Sequence, residues 1–141
     1  MNDIVVALEA AGFRQFARAV TASGASDVLS NGAPYTIFAP SDAAFAKFPQ
    51  RVLGRLFGDD LPLLRYVVSY HFAAGKVGAA RFAGKRIRAV THGGKALIID
   101  GKHGLRVNDA RVTTPDLVCG PCLIHGIDGV LWPREAASGA A

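Results

Sequence analysis

The feature that most constrains the fold is a change of hydrophobic periodicity near Gly75. Before this point, apolar residues recur every three or four positions, as they do in amphipathic helices. After it, short apolar segments are separated by Gly and by Asn or Asp, which is typical of β-hairpins. The pattern predicts an α+β fold, in which a helical first half is followed by a β meander.

The first half of the chain contains several predicted helices and one predicted strand. The helices are expected over residues 4–11, 13–23, 52–57 and 62–72. Residues 35–39 are rich in strand-forming side chains, and Pro40 is expected to end that strand. Ser41 is then expected to cap the following helix, while Asp42 stabilises the positive end of its dipole.

The second half is predicted to form a meander of short strands. These are expected over residues 86–90, 96–100, 105–107, 111–113 and 123–127. Asn108 fits a turn that needs a positive φ angle. The chain of 141 residues suits one domain, expected over residues 1–134, with a small and featureless tail at 135–141.

Four elements of the sequence resemble signatures of the fasciclin domain family. Residues 36–45 (TIFAPSDAAF) resemble its first signature block, and residues 123–133 (LIHGIDGVLWP) resemble its second. Tyr70 and His71 stand where the family carries a Tyr-His pair, and residues 107–110 (VNDA) resemble its Val-Asn-Gly-Ala turn. Because the four elements follow the family order and spacing, the chain is identified as a single-domain member of the bacterial type.

The resemblance implies a fasciclin-like α+β fold, with N-terminal helices packed on a β wedge or sandwich built mainly from the C-terminal half. It also implies a role in adhesion or matrix contact rather than catalysis. In animal members, contacts with integrins have been attributed to positions that correspond to Tyr70, His71 and Asp128. The flanking residues do not reproduce an integrin-binding sequence, so that receptor is not carried over. Tyr70, His71 and Asp128 are kept as candidate binding residues. The family motif residues with an expected structural role are Thr36, Phe38, Ala39, Pro40, Ser41, Asp42, Phe45, Asn108, His125 and Asp128.

The physical interpretation of the motif blocks is mainly structural. Phe38 and Phe45 are expected to be buried against the sheet. His125 alternates with apolar neighbours, which predicts a hydrogen-bonded core histidine rather than a ligand. For His71 the sequence leaves a surface role open.

Basic residues are concentrated in the segment 76–111, which holds nine of the 16 Lys and Arg residues and only two acidic ones. Strand alternation is expected to place Arg86 and Arg88 on one face and Ile87 on the other. Two interpretations stay open: an ordinary solvated sheet face, or a patch that binds an anionic glycan. Nucleic acid is not expected, because aromatic residues that could stack on bases are sparse in this segment, with only Phe82 nearby.

Residues 119–122 (CGPC) depart from the family pattern. Three interpretations are open for Cys119 and Cys122: a structural disulfide or a reduced pair, a thiol–disulfide redox centre, or metal ligands. The redox chemistry needs a following helix, whereas a strand-like run follows here. The four histidines show no metal-ligand spacing, so neither a metal nor another cofactor is expected.

These observations predict a non-enzymatic adhesion or binding module for a surface glycan, a matrix component or a protein partner. Motifs of hydrolases, zinc proteases and phosphate-binding loops do not occur. The alternatives are a thiol–disulfide redox protein or a carrier of an apolar ligand. The resemblance implies a secreted, periplasmic or cell-surface location. A cytoplasmic location stays open, because the first residues lack the features of a secretion signal. No apolar run is long enough to span a bilayer. The partner and the oligomeric state stay open.

Overall fold

A computed structural model describes residues 3–29, 32–58, 60–102, 104–108 and 110–132. The helices in this part of the chain are α1 (Asp3–Ala10), α2 (Arg14–Ser23), α3 (Ala25–Leu29), α4 (Asp42–Lys47), α5 (Gln50–Phe57), α6 (Leu61–Ser69) and α7 (Ala79–Phe82). The strands are β1 (Tyr35–Pro40), β2 (Phe72–Ala74), β3 (Arg86–Val90), β4 (Ala96–Asp100), β5 (Arg106–Val107), β6 (Ala110–Cys119) and β7 (Cys122–Ile127). The predicted α+β class, with helices first and most strands in the second half, is confirmed.

The strands form one sheet with the order β2-β1-β7-β6-β5-β4-β3. From β3 to β7, each strand pairs antiparallel with the next one along the chain, which confirms the predicted meander. β1 instead pairs parallel with β7, with Thr36 opposite Leu123 and Pro40 opposite Ile127. The two sequence blocks that resemble family signatures therefore lie side by side at the centre of the fold.

β1 is buried on both faces because its alternating side chains enter two different apolar clusters. Tyr35, Ile37 and Ala39 pack with residues of α1, α2 and α6 in the larger cluster. Phe38 points the other way, into a second cluster that includes Leu97 and other residues of the outer strands. The helices thus cover one side of β1, and the meander covers the other.

Local signals in the sequence explain several helix boundaries. Gly24 ends α2 in the left-handed conformation, with φ of 81°, which glycine adopts without steric cost. The Ser41 hydroxyl accepts a hydrogen bond from Ala44 N at 3.1 Å, so the predicted cap of α4 is confirmed. The Asp60 carboxylate caps α6 in the same way, by accepting from Leu63 N at 3.2 Å.

Three features of the fold differ from the sequence-based expectations. Phe72 was expected in a helix, but it begins β2, because Tyr70 and His71 turn the chain into pairing with β1. β6 is much longer than residues 111–113 and contains register shifts around Thr114. The helices α3 and α7 were not expected. The predicted tail at 135–141 lies outside the described residues, as do Asp109 and Pro133.

Candidate binding site

The outward face of the meander carries several exposed basic side chains. In β3, Arg86 and Arg88 are exposed while Ile87 between them is half-buried, so the predicted alternation is confirmed. The inward side of the same strands contributes Leu97, Ile99 and other residues to the second apolar cluster. The sequence therefore folds this way because one face of the strands is apolar and the other carries charge.

The strand register aligns three arginines and one aspartate in a row across the outward face. Arg86 lies opposite Asp100, Asp100 opposite Arg106, and Arg106 opposite Arg111. Residues directly opposite each other in antiparallel strands project from the same face, about 4.5–5.5 Å apart at their Cβ atoms. We call these four residues the basic row. Arg88 lies beside the row, opposite Ile98.

The basic row carries an excess of positive charge. The Asp100 carboxylate accepts a hydrogen bond from Lys102 N at 2.9 Å, and it is half-buried. Across the described ranges, none of the four arginines named above has a carboxylate within 4.0 Å. Guanidinium groups bind planar anions such as carboxylate and sulfate through two parallel hydrogen bonds. Sequence reasoning identified Arg86 and Arg88, but it missed Arg106 and Arg111, because only the register of the short strand β5 aligns them.

Tyr70 and His71 do not belong to an accessible surface. Their exposed fractions are 7 % and 1 %, so these two candidate binding residues are buried in this structure. His71 Nδ1 lies 2.7 Å from Val67 O, and Leu131 N donates to His71 Nε2 at 3.0 Å. The proton is accordingly assigned to Nδ1, and the ring joins α6 to the segment that follows β7.

The environment of His71 keeps its imidazole neutral. Burial lowers the pKa of His71 from 6.5 to about 4, and the hydrogen bond to Val67 O opposes this shift only in part. A charged imidazole would also lose the bond from Leu131 N, since both ring nitrogens would then be donors. The group is therefore suited to holding the fold rather than to exchanging protons with a partner.

Tyr70 and Asn108 support the basic row from beneath. The Tyr70 hydroxyl donates to Ala96 O at 3.0 Å and accepts from Asn108 Nδ2 at 3.1 Å. Asn108 has the predicted positive φ, at 52°, and its Oδ1 accepts from Ile98 N. This network attaches β4 to the end of α6, so the residues act on the outer face by positioning its strands.

Asp128 also has a positioning contact. Its Oδ1 accepts from Arg111 N at 2.8 Å, and its own N donates to Arg111 O at 3.0 Å. Asp128 is half-buried at the side of a depression of about 430 Å³ that Lys47 and Trp132 also line. The residue thus fixes the backbone of one arginine of the basic row.

The remaining family motif residues lie in the interior or at helix ends. His125 is fully buried, accepts from Asp116 N at 3.1 Å and donates through Nε2 to Val77 O at 3.0 Å, as expected of a core histidine. Phe38 and Phe45 are buried as expected. Thr36 Oγ1 donates to Gly75 O and accepts from Val77 N.

Cys119 and Cys122 lie opposite each other at the end of the β6–β7 hairpin. Gly120, with φ of 55°, makes the tight turn between them. Both residues are thiols in this structure, as in the reduced-pair interpretation. Cys122 is 2 % exposed and begins β7 rather than a helix, so the helix N-terminus that activates a redox thiol is missing here.

Over the residues that the structure describes, no three His, Cys, Asp or Glu side chains are grouped as a metal ion would require. Similarly, none of the described helices is long and apolar enough to cross a membrane.

The protein is therefore a small α+β domain with basic side chains exposed on one face of its sheet. Residues 11–133 match the family model for the fasciclin domain. The chain belongs to the fasciclin domain family.

Similar proteins come from cyanobacteria and mycobacteria. The chain is 35 % identical to the Synechocystis protein sll1735 over 131 residues, which cover 92 % of this chain and 96 % of that protein. It is 34 % identical to Synechocystis protein sll1483 over 88 % of this chain and 71 % of that protein. It is 32 % identical to the cell surface glycolipoprotein MPT83 of Mycobacterium tuberculosis, over 73 % of this chain and 46 % of the relative.

A solved structure shows the same fold. It is a FAS1 domain pair from the insect cell adhesion molecule Fasciclin I, with a TM-score of 0.65 and 18 % sequence identity. The match covers 87 % of this chain and 46 % of the insect chain, so this chain spans about half of that structure.

Proposed function

We propose that this chain is a non-catalytic adhesion module that contacts an anionic glycan at a cell surface through the basic row and Arg88. The observation that carries the proposal is the register that brings Arg86, Arg106 and Arg111 onto one face with Asp100 as the single carboxylate among them. The proposal includes a secreted, periplasmic or cell-surface location, which the name of the mycobacterial glycolipoprotein supports.

Arginine and the shape of the face favour a polymer over a small ligand. The face is a strand surface rather than a cleft, so one anionic group can meet only one or two guanidinium groups at a time. A chain with repeated carboxylate or sulfate groups can engage several arginines of the row at once. Contacts of this kind between exposed charges weaken as salt is added.

The test is retention of the pure protein on immobilised dextran sulfate across a salt gradient, with neutral dextran as the matched matrix. The wild-type protein is expected to bind the sulfated polymer and not the neutral one. The Arg86→Glu/Arg88→Glu variant is expected to elute at clearly lower salt, since its formal net charge falls by four units, from +5 to +1, on this face.

A matched control separates the face from the overall charge. Lys47→Glu/Arg51→Glu produces the same change in net charge at two exposed positions of α4 and α5, outside the sheet. Elution of the control close to wild type supports the basic row. Equal shifts for the two variants, or no retention of the wild type, would overturn the proposal.

A further inference from the structure

A groove between α2, α4 and α5 lies apart from the charged sheet face. It has a volume of about 700 Å³, and its lining includes Arg14, Arg18, Phe45, Leu53, Gly54 and Phe57. Sites for small molecules in proteins commonly occupy about 300–1,000 Å³. We call this recess the helical groove. The sequence alone had given no sign of such a recess.

The floor of the helical groove is apolar and only partly covered. Phe45 is buried, whereas Leu53 and Phe57 of α5 stay half-buried. The rings of Phe45 and Phe57 lie 6.4 Å apart between centroids and are tilted by 51°. Of the eight residues of α5, Leu56 alone is fully buried. The apolar face of this helix therefore leaves surface that an apolar ligand could cover.

The rim of the helical groove is basic. Arg14 and Arg18 are exposed and one helical turn apart on α2, so their side chains project from the same side. The guanidinium carbon of Arg18 lies 4.4 Å from the centre of the Phe57 ring, which holds this cation above the apolar floor. Within the described ranges, neither arginine has a carboxylate at ion-pairing distance.

The carboxylate that also lines the groove is already engaged. Asp42 Oδ1 accepts a hydrogen bond from Gln15 N at 2.9 Å and so satisfies an amide in the first turn of α2. The charged residues of the lining are two arginines and one carboxylate, Asp42, so the rim carries an excess of positive charge.

Gly54 keeps one wall of the groove open at a cost in helix stability. It lies in the middle of α5, where glycine is about 1 kcal/mol less favourable than alanine. Its φ is not in the left-handed region, and a Cβ built at this position meets nothing within 4 Å. Neither the backbone nor the packing therefore requires a glycine here, but a larger side chain would project into the groove.

We propose that the helical groove binds a single-chain amphiphile with one carboxylate head group, such as a fatty acid. Arg14 and Arg18 would pair with the carboxylate, and the hydrocarbon chain would lie on Phe45, Leu53 and Phe57. The charge of the rim favours an anionic head over a neutral one. A recess of this volume with one pair of cations suits a small ligand rather than a polymer. The inference is independent of the proposed glycan contact.

The experiment is isothermal titration calorimetry of the wild-type protein with decanoate and dodecanoate below the concentration at which they form micelles. Saturable binding is expected, strengthened by about fourfold for each CH₂ group that is buried. Dodecanol, which has the same chain without the charge, is expected to bind at least tenfold more weakly than dodecanoate.

Two variants test the two halves of the site. Gly54→Leu fills the groove while it removes an unfavourable helix residue, so the fold should be retained, and dodecanoate binding is expected to fall at least tenfold. Arg14→Gln/Arg18→Gln is expected to weaken dodecanoate binding at least tenfold and to leave dodecanol binding unchanged. Arg51→Gln removes one exposed cation of α5 that does not line the groove, and it should bind as the wild type does.

The absence of saturable binding by the wild type would overturn the proposal, as would unchanged binding by Gly54→Leu. Equal weakening by Arg51→Gln and by the Arg14/Arg18 variant would show adsorption to net charge and would overturn it too. The Gly54→Leu variant is also run on dextran sulfate, where it should elute as the wild type does. A failure of the groove and a failure of the glycan contact are thereby distinguished.

Discussion

The inner strands and the outer strands of the sheet differ in what their side chains meet. All six residues of β1 and all six of β7 are buried, on both faces of the sheet. In β3, at one end of the sheet, exposed and half-buried residues alternate, and the exposed ones include two arginines. The inner pair contains the strand portions of the two sequence blocks that resemble the family signatures. The comparison teaches that these residues chiefly maintain the fold, whereas the outer strands are available for contact.

The largest expected effect comes from comparing one side-chain truncation to alanine in each region. Phe38→Ala in β1 removes a ring that is 1 % exposed, and it is expected to lower the free energy of unfolding by about 3–5 kcal/mol. Val90→Ala in β3 removes methyl groups from a side chain that is 57 % exposed, and a change of about 0.5 kcal/mol or less is expected. Urea denaturation of both variants measures the two values. Similar losses for the two variants would contradict the division into inner and outer strands.

A second test concerns the acid sensitivity of the inner region. Because burial lowers the pKa of His71 to about 4, the unfolded chain binds a proton at higher pH than the folded chain does. Stability from this group is complete above pH 6.5, declines as the pH falls, and is lost by about pH 4, a total of about 3 kcal/mol. Urea denaturation at several pH values measures the slope.

The matched variant for this pH test is His71→Gln, which keeps polar groups but does not titrate. It should be less stable than the wild type at pH 7, and the difference between the two proteins should shrink toward pH 4. A difference that stays constant between pH 7 and pH 4 would show that His71 does not contribute to acid sensitivity.

The smallest expected effect lies on the outer face. Arg86→Glu/Arg88→Glu changes two exposed side chains without ion-pair partners in the described ranges, so the free energy of unfolding should change by about 0.5 kcal/mol or less. Thermal unfolding at 0.15 M salt measures this. A loss of several kcal/mol would mean that these arginines hold the fold, and it would make the retention test on dextran sulfate uninterpretable for this variant.

Much of the fold could be predicted from local patterns. The bounds of β3 and β4 agree with the predicted strands, since glycines lie close to both ends of each run. The position of Phe72 could not be predicted this way, because its spacing after Val68 continues the helical pattern. It pairs instead with Ile37, and a contact over that sequence distance leaves no local signal. The continuation of β6 beyond residue 113 could not be predicted from local patterns either. This part of the strand contains register shifts, and Asp116 adopts a positive φ of 58°.

The candidate sites were less accessible to sequence reasoning than the fold was. The basic stretch indicated Arg86 and Arg88, but the alignment with Arg106 and Arg111 depends on the pairing of three successive strands. Tyr70 and His71 were candidate binding residues, but they are buried and their polar atoms find partners inside the protein. The helical groove brings together α2, α4 and α5, and no pattern within one helix could reveal it.

The parallel pairing of β1 with β7 has a consequence for how the chain folds. Thr36 and Leu123 are 87 residues apart, so their pairing must overcome a large loop-closure entropy, and folds rich in such contacts form slowly. At a synthesis rate of about 5–20 residues per second, β1 waits roughly 4–17 s for the strand that will cover its edge. During that interval a strand of buried-type residues has an unpaired edge, which makes the growing chain most prone to aggregation before β7 is made.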